Sequence, residues 1–133
     1  MKRVCASIGF LFILGLPLIS KAYPQFGSPV EETQPATPEE NAQAAQGVLM
    51  ALSTAAETYA ASHEGIYPAS EQDLLSADPP YLAQRYCDEN LHDYIYTCEF
   101  FSDRYQFIAE PVDPFALTYT IATGGILSYQ RNM

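Results

Sequence analysis

At 133 residues the chain is sized for one domain. Sixteen acidic residues stand against six basic ones, a net charge of −10. That balance argues against nucleic acid and anionic membrane surfaces, which reward clustered Lys and Arg; excess negative charge chiefly favours solubility.

Residues 1–22 read as a cleavable signal peptide. Lys2 and Arg3 form its basic start, Ile8 to Ile19 its apolar run, and Ser20-Lys21-Ala22 offers small residues for cleavage. The run is shorter than the roughly 20 apolar residues that a spanning helix needs, and Pro17 interrupts it. The expectation is a periplasmic or secreted protein with no stable membrane span after cleavage. Removing the signal leaves three basic residues, Arg85, Arg104 and Arg131, and a net charge of −13. Two cysteines remain, Cys87 and Cys98. In an oxidising compartment they are expected to pair, for a gain of about 2–3 kcal/mol.

Residues 23–36 hold Pro24, Gly27, Pro29 and Pro35 among polar neighbours and read as a disordered linker. Residues 37–133 form the expected globular domain. It opens on one long helix, from Thr37 to Glu64. Thr37 and Glu40 make a capping box around Pro38. Ala45, Val48, Leu49, Leu52, Ala55, Ala56 and Tyr59 recur at three- and four-residue steps and draw an apolar stripe. Gln43, Gln46, Ser53 and Glu57 fall on the expected outer face, with Met50 near them. Gly65 supplies the stop.

Ile66-Tyr67-Pro68 is extended, because a residue before proline avoids the helical region. Glu71–Ser76 reads as a short helix, capped by Ser70 and Asp73, with Leu74 and Leu75 inward. Residues 83–91 look polar and irregular. The period then changes to two. Tyr94, Tyr96, Cys98 and Phe100 alternate with Ile95, Thr97, Glu99 and Phe101, the pattern of a strand. Further strands are expected over Arg104–Ala109, Leu117–Ala122 and Ile126–Tyr129, the last two joined at Gly124-Gly125. The class is α+β: one long N-terminal helix packed on a small antiparallel sheet of about four strands. Alanines on the helix and rings on the sheet are complementary in volume.

The run Ala55-Ala56-Glu57-Thr58-Tyr59, then Gly65-Ile66-Tyr67-Pro68, Asp73-Leu74, the Tyr94/Tyr96 pair, Ala109-Glu110-Pro111 and Gly125-Ile126 follow one another in an order that resembles the soluble headgroup of type IV pilins and type II secretion pseudopilins. The resemblance spans about Asn41 to Tyr129. It implies a helix on an antiparallel sheet and a role in assembly rather than catalysis. The start of the chain departs from that family. Gly9-Phe10 imitates its cleavage site, but the fifth residue from Phe10 is Leu14 instead of glutamate, and Pro17 and Lys21 end the apolar run early. The reading is therefore a pilin-like headgroup carried on an export signal, with envelope or secretion-system proteins as partners. Calcium held in the C-terminal loops of major pseudopilins makes Asp103 and Asp113 candidate ligands, although six to eight oxygens are required. No cofactor is expected.

His63 is expected to cap helix carbonyls, and His92-Asp93 would point to opposite faces of a strand. Neither forms a catalytic constellation, so the chain is read as no enzyme. Ten tyrosines raise an alternative, a secreted ligand- or carbohydrate-binding module using surface tyrosines. The candidates for a partner surface are Tyr86, Ile95 and Phe101, provided that they cluster.

Overall fold

The computed structural model describes residues 35–132. The expected signal peptide, residues 1–22, and residues 23–34 of the expected linker lie outside the described residues, as does Met133. Helix α1 spans Pro38–Ala61, with Thr37 as its N-cap. The Thr37 hydroxyl accepts from the Glu40 amide at 3.1 Å, and the Glu40 carboxylate accepts from the Thr37 amide at 2.9 Å. Those bonds hold the Glu40 carboxyl below the ordinary carboxylate range. The helix stops three residues before the expected end. Glu64 and Gly65 both take positive φ there, and the Gly65 amide reaches the Ala60 carbonyl at 2.8 Å. Among the described residues no helix is long and apolar enough to cross a membrane.

Helix α2 is Glu71–Leu75. The expected Ser70 cap does not form. Asp73 instead accepts from the Ala69 amide at 2.9 Å.

The sheet has five strands in the order β1-β2-β3-β4-β5, all antiparallel: β1 (Asn90–Leu91), β2 (Tyr94–Phe100), β3 (Tyr105–Pro111), β4 (Leu117–Ala122) and β5 (Ile126–Arg131). The expected count of four omitted β1. It exists because His92 and Asp93 both adopt positive φ and close a two-residue hairpin, with Leu91 opposite Tyr94. Two non-glycine residues in that conformation carry little signal in a sequence. The meander otherwise follows the reading, with β3 and β5 each extended by two residues at their ends.

The alanine stripe packs as expected. Ala45, Leu49, Leu52 and Ala56 are fully buried against Tyr96, Tyr105, Phe107, Ala109 and Ile121. Burying a side chain the size of leucine or phenylalanine contributes about 1.5–3 kcal/mol. Tyr105 stacks on Phe107 at 4.8 Å, and Phe100 meets Phe107 edge-on at 5.2 Å. The helix lies over β3 and β4 and leaves β5 uncovered. Cys87 and Cys98 form a disulfide that ties the segment before β1 to β2. Its presence suits an oxidising compartment.

Candidate functional site

Two carboxylates, neither singled out by sequence pattern, organise the ends of the sheet. Glu57 and Ser53 were expected on the solvent face of α1. Ser53 is only 4% exposed, and Glu57 is half-buried. The reason is tertiary: Tyr105 and the β4–β5 turn overhang that side of the helix. Glu57 accepts from the Tyr67 hydroxyl at 3.1 and 3.2 Å, from the Tyr105 hydroxyl at 2.8 Å and from the Gly124 amide at 2.8 Å. Tyr105 has one proton and gives it to Glu57, so Ser53, 2.7 Å away, donates to the Tyr105 oxygen. The Gly125 amide donates to the same oxygen at 3.2 Å. Burial pushes the Tyr105 phenol up to about 12; Glu57 adds to the rise, while the Ser53 and Gly125 donors oppose it. Burial, then Glu57, also raises Tyr67. The network fastens the start of β5 to α1. Both glycines of the turn take positive φ, which lets their amides converge on this site.

Glu71 works at the other end. Only 6% exposed, it accepts from the backbone amides of Tyr86 and Cys87, the latter at 3.0 Å. Its other oxygen is buried without a hydrogen bond, with the Arg85 guanidinium 3.9 Å away. The carboxylate therefore holds the segment that carries the disulfide. A glutamate in the first turn of a helix ordinarily reads as a dipole partner, so its sequence gave no sign of burial.

The expected surface candidates do not come together. Ile95 and Phe101 are exposed, but six residues of extended strand, roughly 20 Å, separate them. The Arg104 guanidinium covers Phe101 at 4.1 Å. Tyr86 is half-buried and lines a groove beside α1 with Gly47, Met50 and Tyr81. Asp103 and Asp113 sit at opposite ends of β3, so one ion cannot take both. Asp103 instead pairs with Arg104 at 3.1 Å, and Asp113 accepts from the Phe115 amide at 2.9 Å. Among the described residues no group of three or more His, Cys, Asp or Glu is placed to hold a metal ion. His63 stacks on Tyr59 at 3.7 Å and reaches the Tyr59 carbonyl through Nδ1 at 2.7 Å. His92 is exposed in the β1–β2 turn rather than on a strand. Its neighbour Asp93 accepts from Asn41 at 2.9 Å.

Of the tyrosines described, most are buried or half-buried, and Tyr129 alone is fully on the surface, at 70% exposure. It belongs to β5. Every residue of that strand is exposed, including Ile126 at 66% and Leu127 at 38%. All six pair with β4 in unbroken register, so β5 is a straight outer edge. Phe115, 83% exposed, lies in the β3–β4 loop, whose Ala116 carbonyl accepts from Asn132 just beyond β5. The outer face of the sheet forms a concavity of about 520 Å³ lined by Gln106, Glu110, Thr120, Ser128, Tyr129 and Gln130.

Comparison of the chain with protein-family models, with curated proteins and with solved structures finds no match in any of the three.

Proposed function

We propose that this chain is an exported, non-enzymatic, pilin-like or pseudopilin-like module that meets envelope or secretion-system proteins by adding a strand along β5. The observation that carries the reading is β5 itself. A sheet edge presents unpaired backbone N–H and C=O groups, and folded proteins usually blunt such edges with charge, proline or bulges. Between Ile126 and Gln130 this strand has none of these, and its apolar side chains are open. Strand addition supplies the backbone bonds, while pockets for alternate side chains supply selectivity. The Cys87–Cys98 disulfide and the signal-like start agree with a periplasmic or secreted location.

The test is a photo-crosslinking residue placed at position 129 in the producing cells, with position 84, on the far side, as control. Position 129 is expected to capture a component of an envelope assembly that position 84 does not. Identical products from both positions, or none from 129, would refute the reading.

A second reading is a binder of neutral carbohydrate. The concavity on the outer face favours it, because its amide and hydroxyl side chains suit sugar hydroxyls. Its lining turns no aromatic ring to that face, because Tyr129 points to the helix side with Tyr119. Calorimetry with neutral oligosaccharides that gives no heat for the unsubstituted chain at millimolar ligand would dismiss it.

A further inference from the structure

We infer that β5 pairs with β5 of a second copy of this chain, antiparallel and with Ser128 on the two-fold axis, joining two five-stranded sheets into one of ten. This rests on the reading of β5 as the binding edge and names its occupant.

The register follows from side-chain direction. Leu127, Tyr129 and Arg131 lie on the helix side of the sheet, because they oppose Ile121, Tyr119 and Leu117 of β4. Ile126, Ser128 and Gln130 lie on the other side. An antiparallel two-fold pairing must oppose residues of one face, so it is centred on a residue of β5. Centring on Ser128 sets Leu127 against Tyr129 of the second copy, and the reverse, on the helix side. It also sets Arg131 against Gly125.

That last placement is where the charges agree. Among the described residues, Arg85 and Arg104 have acidic partners, and Arg131 has none. Gly125 has no side chain to obstruct the incoming guanidinium. The adjacent Gly124 amide is bound by the Glu57 carboxylate, which lies on the helix side, as Arg131 does. Two Arg131–Glu57 contacts would therefore bracket two apolar pairs. Centring on Tyr129 instead would put Arg131 over Leu127 and lose the carboxylate. Along the seam, Ile126–Gln130 carries no charge, so the acidity of the chain is kept away from it. The Glu57 network holds the start of β5 in place beforehand, which lowers the ordering that pairing requires.

Sedimentation velocity of the purified exported chain over a concentration series tests the pairing, and two cysteine variants test the register. Ser128→Cys places thiols directly across the axis, with Cα atoms about 4.5–5.5 Å apart, within disulfide range. Ile126→Cys places them roughly 14 Å apart along the strands. The expected result is a dimer that dissociates on dilution. Mild oxidation should trap it through Ser128→Cys, while Ile126→Cys stays at the level of the unsubstituted chain. Arg131→Glu should weaken association by about tenfold without changing the far-ultraviolet circular dichroism. A chain that stays monomeric to millimolar concentration overturns the inference, and so does equal trapping by both cysteines. If the chain is monomeric while position 129 still captures an envelope component, this pairing alone falls. If position 129 captures only this chain, the pairing stands and the foreign partner falls.

Discussion

The two edges of the sheet are built on opposite plans. On the β1 side the edge strand is two residues long, is turned back by a left-handed hairpin and has Asp88, Glu89 and Asp93 around it. Behind it stand the disulfide and the buried Glu71. On the β5 side the edge runs six residues, with Arg131 as its one charge. Short, charged edges resist pairing, and long neutral edges invite it. The contrast teaches that stability is concentrated beneath α1 and towards β1, while β5 is paired along one side only, with β4, and its other side is left open for contact.

Alkali should strike the covered half hardest. Burial pushes Tyr96, as well as Tyr105, up to about 12. A phenol whose folded pKa lies above its ordinary value of 10.0 contributes its stability fully below that value and loses it as pH rises through the folded one. The urea midpoint should therefore hold steady to about pH 9 and fall steeply between about pH 10 and 12. A midpoint unchanged at pH 12 would contradict the burial of these rings. Next in size, replacing Cys87 and Cys98 together by serine should lower unfolding stability by about 2–5 kcal/mol, read by urea titration. Glu71→Ala leaves two backbone amides without their acceptor and should lose about 1–3 kcal/mol, with Glu71→Gln losing less. The smallest effect belongs to β5. Leu127→Ser and Tyr129→Ser should each change stability by about 0.5 kcal/mol or less, and Leu127→Ser should abolish the crosslink formed from position 129. If the β5 substitutions destabilise as much as those at Glu71, the strand is core and the contrast between the edges fails.

Much of this architecture was legible beforehand, for identifiable reasons. Periodicity exposed α1, β2, β3 and β4, because a half-buried element must repeat its apolar residues at its own pitch. Thr37 and Glu40 announced the helix start through local bonds alone. Ser53 and Glu57 were misplaced because their burial depends on a turn some seventy residues away in the chain, which no helical wheel contains. Tyr86, Ile95 and Phe101 were reasonable surface candidates one at a time. Their separation was visible only once β2 was laid out straight and Arg104 was seen over Phe101. β5 was recognised as a strand, but being a strand does not make it an edge. That depends on the order of the sheet and on how far the helix reaches across it.

What the amino-acid sequence determined alone was local: the capped helix, the alternation of the strands, and the presence of two cysteines beyond the signal-like start. Those features depend on neighbours within a few residues, where backbone sterics and side-chain spacing decide. Which carboxylates are buried, which strand is left uncovered and where an unpaired arginine stands relative to Glu57 were decided only by tertiary packing, because each compares residues far apart in the chain whose distance is set by the fold.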